Sequence, residues 1–169
     1  MIDFMVIALP RSGTTWAANW LTTDSTICLH DELAYRTLSE IDKEYKTNKK
    51  LGLSDTGVFF YGAKLKQHPA KKVILHRDIS EINKSLNTLG LPSIEPQVSK
   101  LLDNIDGLHV HYQDLFNSPE PIWDYLIGTK FDNERHHVLK QMQIQPEFAF
   151  LEPVNKDAVM RYFAEIGGV

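Results

Sequence analysis

Short apolar runs alternate with segments of helical spacing along the chain. The apolar runs have the length of buried strands, and they predict strands at Phe4–Leu9, Ile27–Leu29, Val58–Tyr61, Val73–Leu75 and Leu108–Tyr112. Segments in which apolar residues recur every three or four positions predict helices at Thr15–Thr22, Glu32–Tyr45, Ile79–Leu89, Glu95–Asn104, Pro119–Ile127, Asn133–Met142 and Asp157–Ile166. Lys, Gly and Ser residues indicate a loop at Asn48–Gly57.

This order of elements predicts the fold class α/β. Strands that alternate with helices form βαβ units, which build a mostly parallel central sheet covered on both faces, in three α/β/α layers. A chain of 169 residues with 43% hydrophobic composition suits a single domain over positions 1–169. Ligands of such sheets bind beyond the carboxyl ends of the strands, and Pro10–Thr15 follows the first predicted strand at such an end.

Charge, apolar runs and cysteine content limit which partners and which cellular compartment we expect. The formal net charge of -4 leaves no global basic field, so we expect no binding to nucleic acid. No apolar run approaches the roughly 18 residues of a membrane span, so we expect no membrane association. Cys28 is the single cysteine, which excludes an intrachain disulfide and fits a reducing compartment. Because Met1–Phe4 also lacks the features of a signal peptide, we expect a cytoplasmic protein, and we leave its oligomeric state open.

The segment Pro10–Thr15 has the composition of an anion-binding loop. The first N–H groups of a helix lack partners and carry partial positive charge, so an anion there accepts several hydrogen bonds. Gly13 allows close approach to the backbone, and Arg11 adds a permanent cation. Hydroxyl donors come from Ser12, Thr14 and Thr15. The alternative is an ordinary strand–turn–helix corner with a solvent-facing Arg and a Thr cap.

The loop departs from the ATP-binding pattern G-x-x-x-x-G-K-[ST]. Gly13 takes the second glycine position and Thr15 keeps the hydroxyl position. Ala8 replaces the first glycine, and Thr14 replaces the lysine that reaches the outer phosphates. Arg11 is the obvious substitute cation inside the loop. The pattern therefore predicts a fold like that of P-loop nucleoside-triphosphate hydrolases, without the site of an ordinary ATPase.

Two motifs in order resemble those of the sulfotransferase family. Pro10–Trp16 resembles the 5′-phosphosulfate loop of enzymes that use 3′-phosphoadenosine 5′-phosphosulfate (PAPS). His68–Asp78 resembles the family's P-x-x-K-x-I-x-x-x-R-D strand, and Ser85 follows Arg77 by eight positions, as in the family's 3′-phosphate motif. Arg77 at a strand end and Ser85 two turns along the next helix would together hold a second phosphate.

A third segment is similar to the family's Y-E-D-L…P…L-x-x-F-L-G pattern. It comprises Val110–Leu115, Pro119 and Trp123–Gly128, with Gln113 in place of Glu. The C-terminal R-K-G-x-x-G motif of cytosolic members has no match, so the region after Gly128 gives no indication of adenine or acceptor contacts. The resemblance thus implies a short, divergent sulfotransferase.

The resemblance implies sulfuryl transfer from PAPS to a hydroxyl or amine, on a small molecule or a side chain, without a metal ion. Arg11 and the loop N–H groups would stabilise charge on the leaving phosphate oxygen. The residues implied to contact PAPS are Arg11, Ser12, Gly13, Thr14, Thr15, Trp16, Arg77 and Ser85. For Trp16, expected against the adenine, the alternative is core packing. For Arg77 and Ser85, the alternative is a surface ion pair of Arg77 with Asp78 or Glu81 and a Ser85 that only contacts solvent.

A general base is expected after the second predicted strand. Some sulfotransferases whose loop begins Pro-Arg carry an acidic base about twenty residues after that Arg, a spacing that Asp31 and Glu32 match. We order the candidates Glu32, then Asp31, then His30. The alternative is helix capping by Asp31, with Glu32 near the helix dipole. A base near a central Lys, as in other relatives, has less support; its candidates are Lys64, Lys66 and His68.

Three other interpretations remain open or are set aside. The histidine pairs His109/His111 and His136/His137 lack Cys or carboxylate partners at ligand spacing, so we expect no metal site. A P-loop kinase or phosphotransferase would need ATP, Mg²⁺ and a buried acidic residue on a neighbouring strand. A noncatalytic protein that kept the phosphate cradle would bind 3′-phosphoadenosine 5′-phosphate (PAP) without turnover.

Overall fold

Five strands form one sheet in the computed structural model, which describes residues 1–142. The strands are β1 (Ile2–Ala8), β2 (Thr26–His30), β3 (Lys50–Asp55), β4 (Lys71–His76) and β5 (Leu108–His111). Their order is β2-β3-β1-β4-β5, and all four neighbouring pairs are parallel. The carboxyl ends of all five strands therefore share one edge of the sheet.

Helices cover both faces of this sheet. They are α1 (Thr14–Leu21), α2 (Leu38–Glu44), α3 (Val58–Gln67), α4 (Ile79–Thr88), α5 (Lys100–Asp103), α6 (Asp114–Asn117), α7 (Glu120–Leu126) and α8 (Asn133–Gln141). Residues of α1, α6 and α7 pack with Phe4, Val6 and Ala8 of β1 on one face. Residues of α2 to α5 pack with Met5 and Ile7 on the other face. The predicted three-layer α/β/α class with a parallel sheet is confirmed.

The central position of β1 follows from its sequence. Its residues from Phe4 to Ala8 are all buried, which requires a strand covered on both faces rather than an edge strand. The neighbouring Gly52 lets the Phe4 ring pack over β3, because a Cβ at Gly52 would lie 2.1 Å from that ring.

Two predicted elements near the middle of the chain are wrong. The predicted loop Asn48–Gly57 contains β3, in which Leu51 and Leu53 alternate with the small residues Gly52 and Ser54, all of them buried. The predicted strand Val58–Tyr61 is instead the first turn of α3, which begins after Gly57. A run of four apolar residues is too short to show the helical period.

Two predicted helices are interrupted. Within Glu32–Tyr45 a 3-10 turn at Glu32–Ala34 precedes α2, because Thr37 and Glu40 form a capping box that fixes the helix start. Within Glu95–Asn104 a 3-10 turn at Pro96–Ser99 precedes the short α5. The helix predicted at Asp157–Ile166 lies outside the described residues. Among residues 1–142, every helix is too short or too polar to cross a membrane.

Candidate anion-binding site at the first loop

The loop between β1 and α1 lies at the carboxyl edge, where β3 and β4 flank β1. Two of its residues have left-handed backbone conformations, Arg11 with φ 64° and Gly13 with φ 85°. A Cβ at Gly13 would also lie 2.8 Å from Cε2 of Tyr112. Glycine is therefore required there twice, by its backbone conformation and by the ring packed against it. A non-glycine residue in the left-handed region, as at Arg11, is a strained conformation of the kind that clusters at ligand sites.

The start of α1 presents donors without protein partners. Within the described residues, the backbone N–H groups of Ser12 to Trp16 donate to no protein acceptor, and no side chain caps the helix. The first bond of the helix runs from Ala17 N–H to the Gly13 carbonyl, at 2.9 Å. The Ser12 hydroxyl is fully buried and also has no hydrogen-bond partner among residues 1–142. Such a set of donors suits a tetrahedral oxyanion.

The end of β2 contacts the same loop, although β3 separates β2 from β1 in the sheet. His30 Nε2 lies 3.2 Å from Thr14 Oγ1 and 3.1 Å from Thr15 Oγ1. From β3, the Ser54 hydroxyl donates to the Thr14 carbonyl at 2.8 Å. The first turn of α1 is therefore anchored to β3 and contacted by an imidazole from β2.

The two acidic candidates after His30 face different neighbours. Asp31 Oδ2 lies 3.2 Å from His30 Nε2, and Asp31 Oδ1 accepts from Thr56 N–H at 3.1 Å and from its hydroxyl at 3.2 Å. Its side chain makes no capping bond, so the capping alternative is wrong for Asp31. Glu32 instead forms an ion pair with Arg36 and accepts from the Tyr45 hydroxyl at 3.2 Å.

A third carboxylate, that of Asp55, lies near Asp31 and Glu32. The sequence pattern does not indicate it as a site residue, because that pattern predicts a loop in place of β3. Asp55 ends β3 and is buried, with Oδ2 accepting from Leu33 N–H at 2.9 Å and Oδ1 from Gly57 N–H at 2.6 Å. Burial, followed by the charge of Asp31, raises the pKa of Asp55 to about 7, against the opposing effect of those two hydrogen bonds.

The second motif meets the first loop directly. Arg11 Nε donates to Ser85 Oγ at 3.0 Å, and Arg77 donates to the Arg11 carbonyl. Burial, and next the nearby Arg77 charge, lower the pKa of Arg11. Arg77 also pairs with Glu81 at 3.1 Å, the ion pair of the alternative interpretation. Both arginines and Ser85 nevertheless form one cluster beside the loop.

Tyr112 joins the third motif to this cluster. Its ring packs on Gly13, and the Arg77 guanidinium lies 4.3 Å from the ring centroid. The Phe116 ring meets it edge-on at 5.2 Å between centroids. A cation over an aromatic face is stabilised by the ring quadrupole, so Tyr112 fixes both the loop and Arg77.

The Trp16 side chain packs in the core, and the other base candidates lie away from the loop. Trp16 is buried, donates Nε1–H to the Leu139 carbonyl at 3.1 Å and packs 4.8 Å from Phe116, as the core-packing alternative expects. Lys64, Lys66 and His68 lie at the end of α3 that leads into β4, remote from the carboxyl edge. Among residues 1–142 no group of three or more metal-ligating side chains occurs.

Comparison with solved structures supports the assignment of the fold. The crystal structure of mouse sulfotransferase SULT7A1 complexed with PAP is similar to this chain, with a TM-score of 0.53 and 13% sequence identity. The similarity covers 98% of this chain and 83% of that chain. The chain therefore has a sulfotransferase-like fold. No protein-family model matches the sequence, and the search of curated proteins returns no match.

Proposed function

We propose that the chain is a sulfotransferase that moves the sulfuryl group of PAPS to a hydroxyl or amine acceptor, on a small molecule or a side chain. The observation that carries the proposal is the start of α1, where five consecutive N–H groups and the buried Ser12 hydroxyl have no protein partner within residues 1–142. The sulfotransferase-like fold supports it, since the similar structure is a sulfotransferase complexed with PAP.

The chemistry requires a donor for the leaving oxygen. As the acceptor atom bonds to sulfur, the bond from sulfur to the bridging phosphate oxygen breaks and that oxygen gains charge. The N–H groups of Gly13 and Thr14, together with the Arg11 guanidinium, are held in place before reaction and stabilise this charge. The transferred group carries less charge than a phosphoryl group, so these donors suffice without a metal ion.

We assign a second phosphate to Arg77 and Ser85. Both contact Arg11, so their cluster lies beside the loop that takes the first phosphate. A guanidinium has five N–H donors, so Arg77 keeps donors for a phosphate while it holds the Arg11 carbonyl. The Glu81 carboxylate, 3.1 Å from Arg77 Nε, is the group that this phosphate would displace.

The contacts reverse our order of base candidates. Glu32 is engaged by Arg36 and Tyr45, whereas His30 touches the hydroxyls of the loop and is backed by Asp31. We therefore propose His30 as the base that takes the acceptor proton, with Asp31 holding the resulting imidazolium. Removing the acceptor proton raises the nucleophilicity of its oxygen or nitrogen as the bond to sulfur forms.

The test is transfer of ³⁵S from labelled PAPS to a panel of alcohols, phenols, sugars and amines, with calorimetric binding of PAP and PAPS measured alongside. We expect PAP to bind and at least one acceptor class to become labelled. Failure of both nucleotides to bind would overturn the proposal. Binding of PAP with no labelled acceptor in any class would favour the noncatalytic alternative.

One observation favours a second candidate function, phosphoryl transfer from ATP. Asp55 is a buried carboxylate at the end of the strand next to β1, as a P-loop kinase requires. Both of its oxygens, however, accept backbone N–H groups of Leu33 and Gly57. Thermal-shift measurements discriminate the two, because a ligand specific to the native state raises its melting temperature. We expect stabilisation by PAP and none by ATP with Mg²⁺; the opposite result would select the kinase.

A further inference from the structure

Arg77 contacts the backbone of the first loop as well as the cluster assigned to the second phosphate. Its guanidinium donates to the Arg11 carbonyl, and its Nε pairs with Glu81 at 3.1 Å. The side chain is only 18% exposed and lies over the Tyr112 ring, 4.3 Å from the ring centroid. Tyr112 is itself fixed to the end of β4, because its N–H donates to the His76 carbonyl at 2.8 Å. Arg77 is therefore held in the position from which it reaches the loop.

The carbonyl that Arg77 binds shares a peptide with the next N–H of the loop. This peptide joins Arg11 to Ser12 and is trans. A trans peptide is planar, so its carbonyl and its N–H point in opposite directions. With the carbonyl bound to Arg77, the Ser12 N–H faces the opposite side of the peptide. Rotation of the peptide would redirect this N–H and break the bond to Arg77.

Ser12 is a buried residue whose donors have no acceptor within the described part of the chain. The residue is 0% exposed, its N–H donates to no protein acceptor and its hydroxyl has no hydrogen-bond partner there. A buried donor left without an acceptor costs free energy, which a bound ligand or water removes. The N–H groups that follow, from Gly13 to Trp16, are in the same state. The Ser12 donors therefore fit the same anion as the start of α1.

The loop conformation needs a restraint of this kind. Arg11 has φ 64°, a left-handed value that is disfavoured for a residue with a Cβ. Such a conformation persists only where the surroundings fix it. The bond from Arg77 to the Arg11 carbonyl is one such restraint. Successive N–H groups in a turn form an anion-binding concavity, so fixing this peptide preserves the concavity.

We propose that Arg77 is a positioning residue of the first anion site: by holding the Arg11 carbonyl, it directs the Ser12 N–H toward the anion on the first loop. This inference rests on the anion site of the proposed function and gives Arg77 a second role there. An Arg77 that only bound the second phosphate would not affect anions that lack one. An Arg77 that orients the peptide affects every anion on the first loop.

The test compares three probes, namely inorganic sulfate, adenosine 5′-phosphate and PAP, of which only PAP has a 3′-phosphate. Arg77→Met removes the donors but keeps a long side chain over Tyr112, and Arg77→Lys keeps the charge. The matched control Lys84→Met removes an exposed cation of α4. Affinities of the full chain are measured by calorimetry at low and at high sodium chloride, because salt screens the long-range effect of a lost charge. The Ser12 amide signal is followed by ¹H–¹⁵N NMR.

We expect Arg77→Met to weaken the binding of sulfate and adenosine 5′-phosphate by about tenfold or more at both salt concentrations, the value of one hydrogen bond to a charged group. The Ser12 amide proton should move downfield when sulfate binds to wild type, and it should not move in Arg77→Met. Arg77→Lys should recover part of the affinity, since its amine donates but lacks the planar guanidinium. At high salt, Lys84→Met should stay within about twofold of wild type.

A loss confined to PAP, with the Ser12 response retained in Arg77→Met, would overturn the inference and leave the proposed function standing. A Ser12 amide of wild type that responds to none of the bound probes would also overturn the inference. If Arg77→Met does not fold, Arg77→Lys decides, and a sulfate affinity equal to that of wild type overturns the inference.

The proposed function can fail separately. Sulfate that binds to wild type and is lost in Arg77→Met, together with no binding of PAP, would support the inference and overturn the proposed function. If none of the three probes binds to wild type, both are overturned.

Discussion

The carboxyl edge of the sheet divides into a cationic half and an acidic half. Beyond β1 and β4 lie Arg11 and Arg77, joined to each other and to Ser85. Beyond β2 and β3 lie three carboxylates, those of Asp31, Glu32 and Asp55. His30 stands at the border and touches both halves. Under the proposed function, the cationic half binds the anion and the acidic half takes the acceptor proton.

The largest effect should follow removal of the cation nearest the reaction. Arg11→Ala should reduce sulfuryl transfer by about 10²–10³-fold, because under the proposed function it deletes a donor to the charge that develops on the leaving oxygen. The matched control is Lys84→Ala, which removes an exposed cation on α4 beside Ser85. Its rate should stay within about twofold of wild type. Equal losses in both variants would show that only the general positive charge matters, and would remove Arg11 from its assigned role.

A second prediction breaks the loop without changing any charge. Gly13→Ala forces a Cβ to within 2.8 Å of the Tyr112 ring at φ 85°. Gly90→Ala, at φ 70° with nothing within 4 Å of its Cβ, carries a similar backbone penalty without the clash. Gly90→Ala should lose about 1–2 kcal/mol of unfolding free energy, and Gly13→Ala should lose more because of the clash. Only Gly13→Ala should weaken PAP binding, by at least about tenfold on calorimetry; equal affinities would contradict the role of the loop backbone.

The acidic half predicts a pH dependence of stability. Asp55 has a pKa raised to about 7 in the folded chain, so the folded state binds a proton that the unfolded state releases near pH 4. The stability from this proton is complete below pH 4 and is lost as pH rises toward 7. In urea unfolding, wild type should lose about 1–4 kcal/mol over this range relative to Asp55→Asn, since one pKa unit is about 1.4 kcal/mol. If the stabilities of wild type and Asp55→Asn change with pH in parallel, Asp55 is not a buried carboxyl that holds a proton in the folded state.

The smallest effect on PAP binding is expected at Trp16, which packs against Phe116. Trp16→Phe removes the hydrogen bond to the Leu139 carbonyl and should cost about 1–2 kcal/mol of unfolding free energy. Trp20→Phe is the comparison, because the buried Trp20 Nε1 has no partner among the described residues and loses packing alone. PAP affinity should be unchanged in Trp16→Phe. A tenfold weaker affinity for PAP with unchanged stability would instead support a contact between Trp16 and the adenine.

The two halves also differ in how far the sequence predicts them. The cationic half comes from two contiguous motifs, and glycine, arginine and hydroxyl residues at short spacing indicate phosphate chemistry before any fold is known. The contact between Arg11 and Ser85, 74 positions apart, still needs the sheet to bring the motifs together. The sequence therefore predicted these residues but not their bonds to each other.

The acidic half depends on a strand that the sequence pattern hides. Leu51 and Leu53 alternate as in a strand, but Lys, Gly and Ser around them favour a loop. Because the sequence pattern predicts a loop in place of β3, it gives no reason to place Asp55 and Thr56 beside Asp31. The preference for Glu32 over His30 has a different origin, because Arg36 stands four residues after Glu32 and an ion pair at this spacing is compatible with the predicted helix itself. The alternation of Leu51 and Leu53 was the one signal that pointed to β3.

A crystal structure with PAP tests the central claim most directly, namely that the N–H groups at the start of α1 hold the anion. The account predicts 5′-phosphate oxygens about 3 Å from the N–H groups of Gly13, Thr14 and Thr15, with the 3′-phosphate on Arg77 and Ser85. A nucleotide bound elsewhere, with those N–H groups facing solvent, would contradict it.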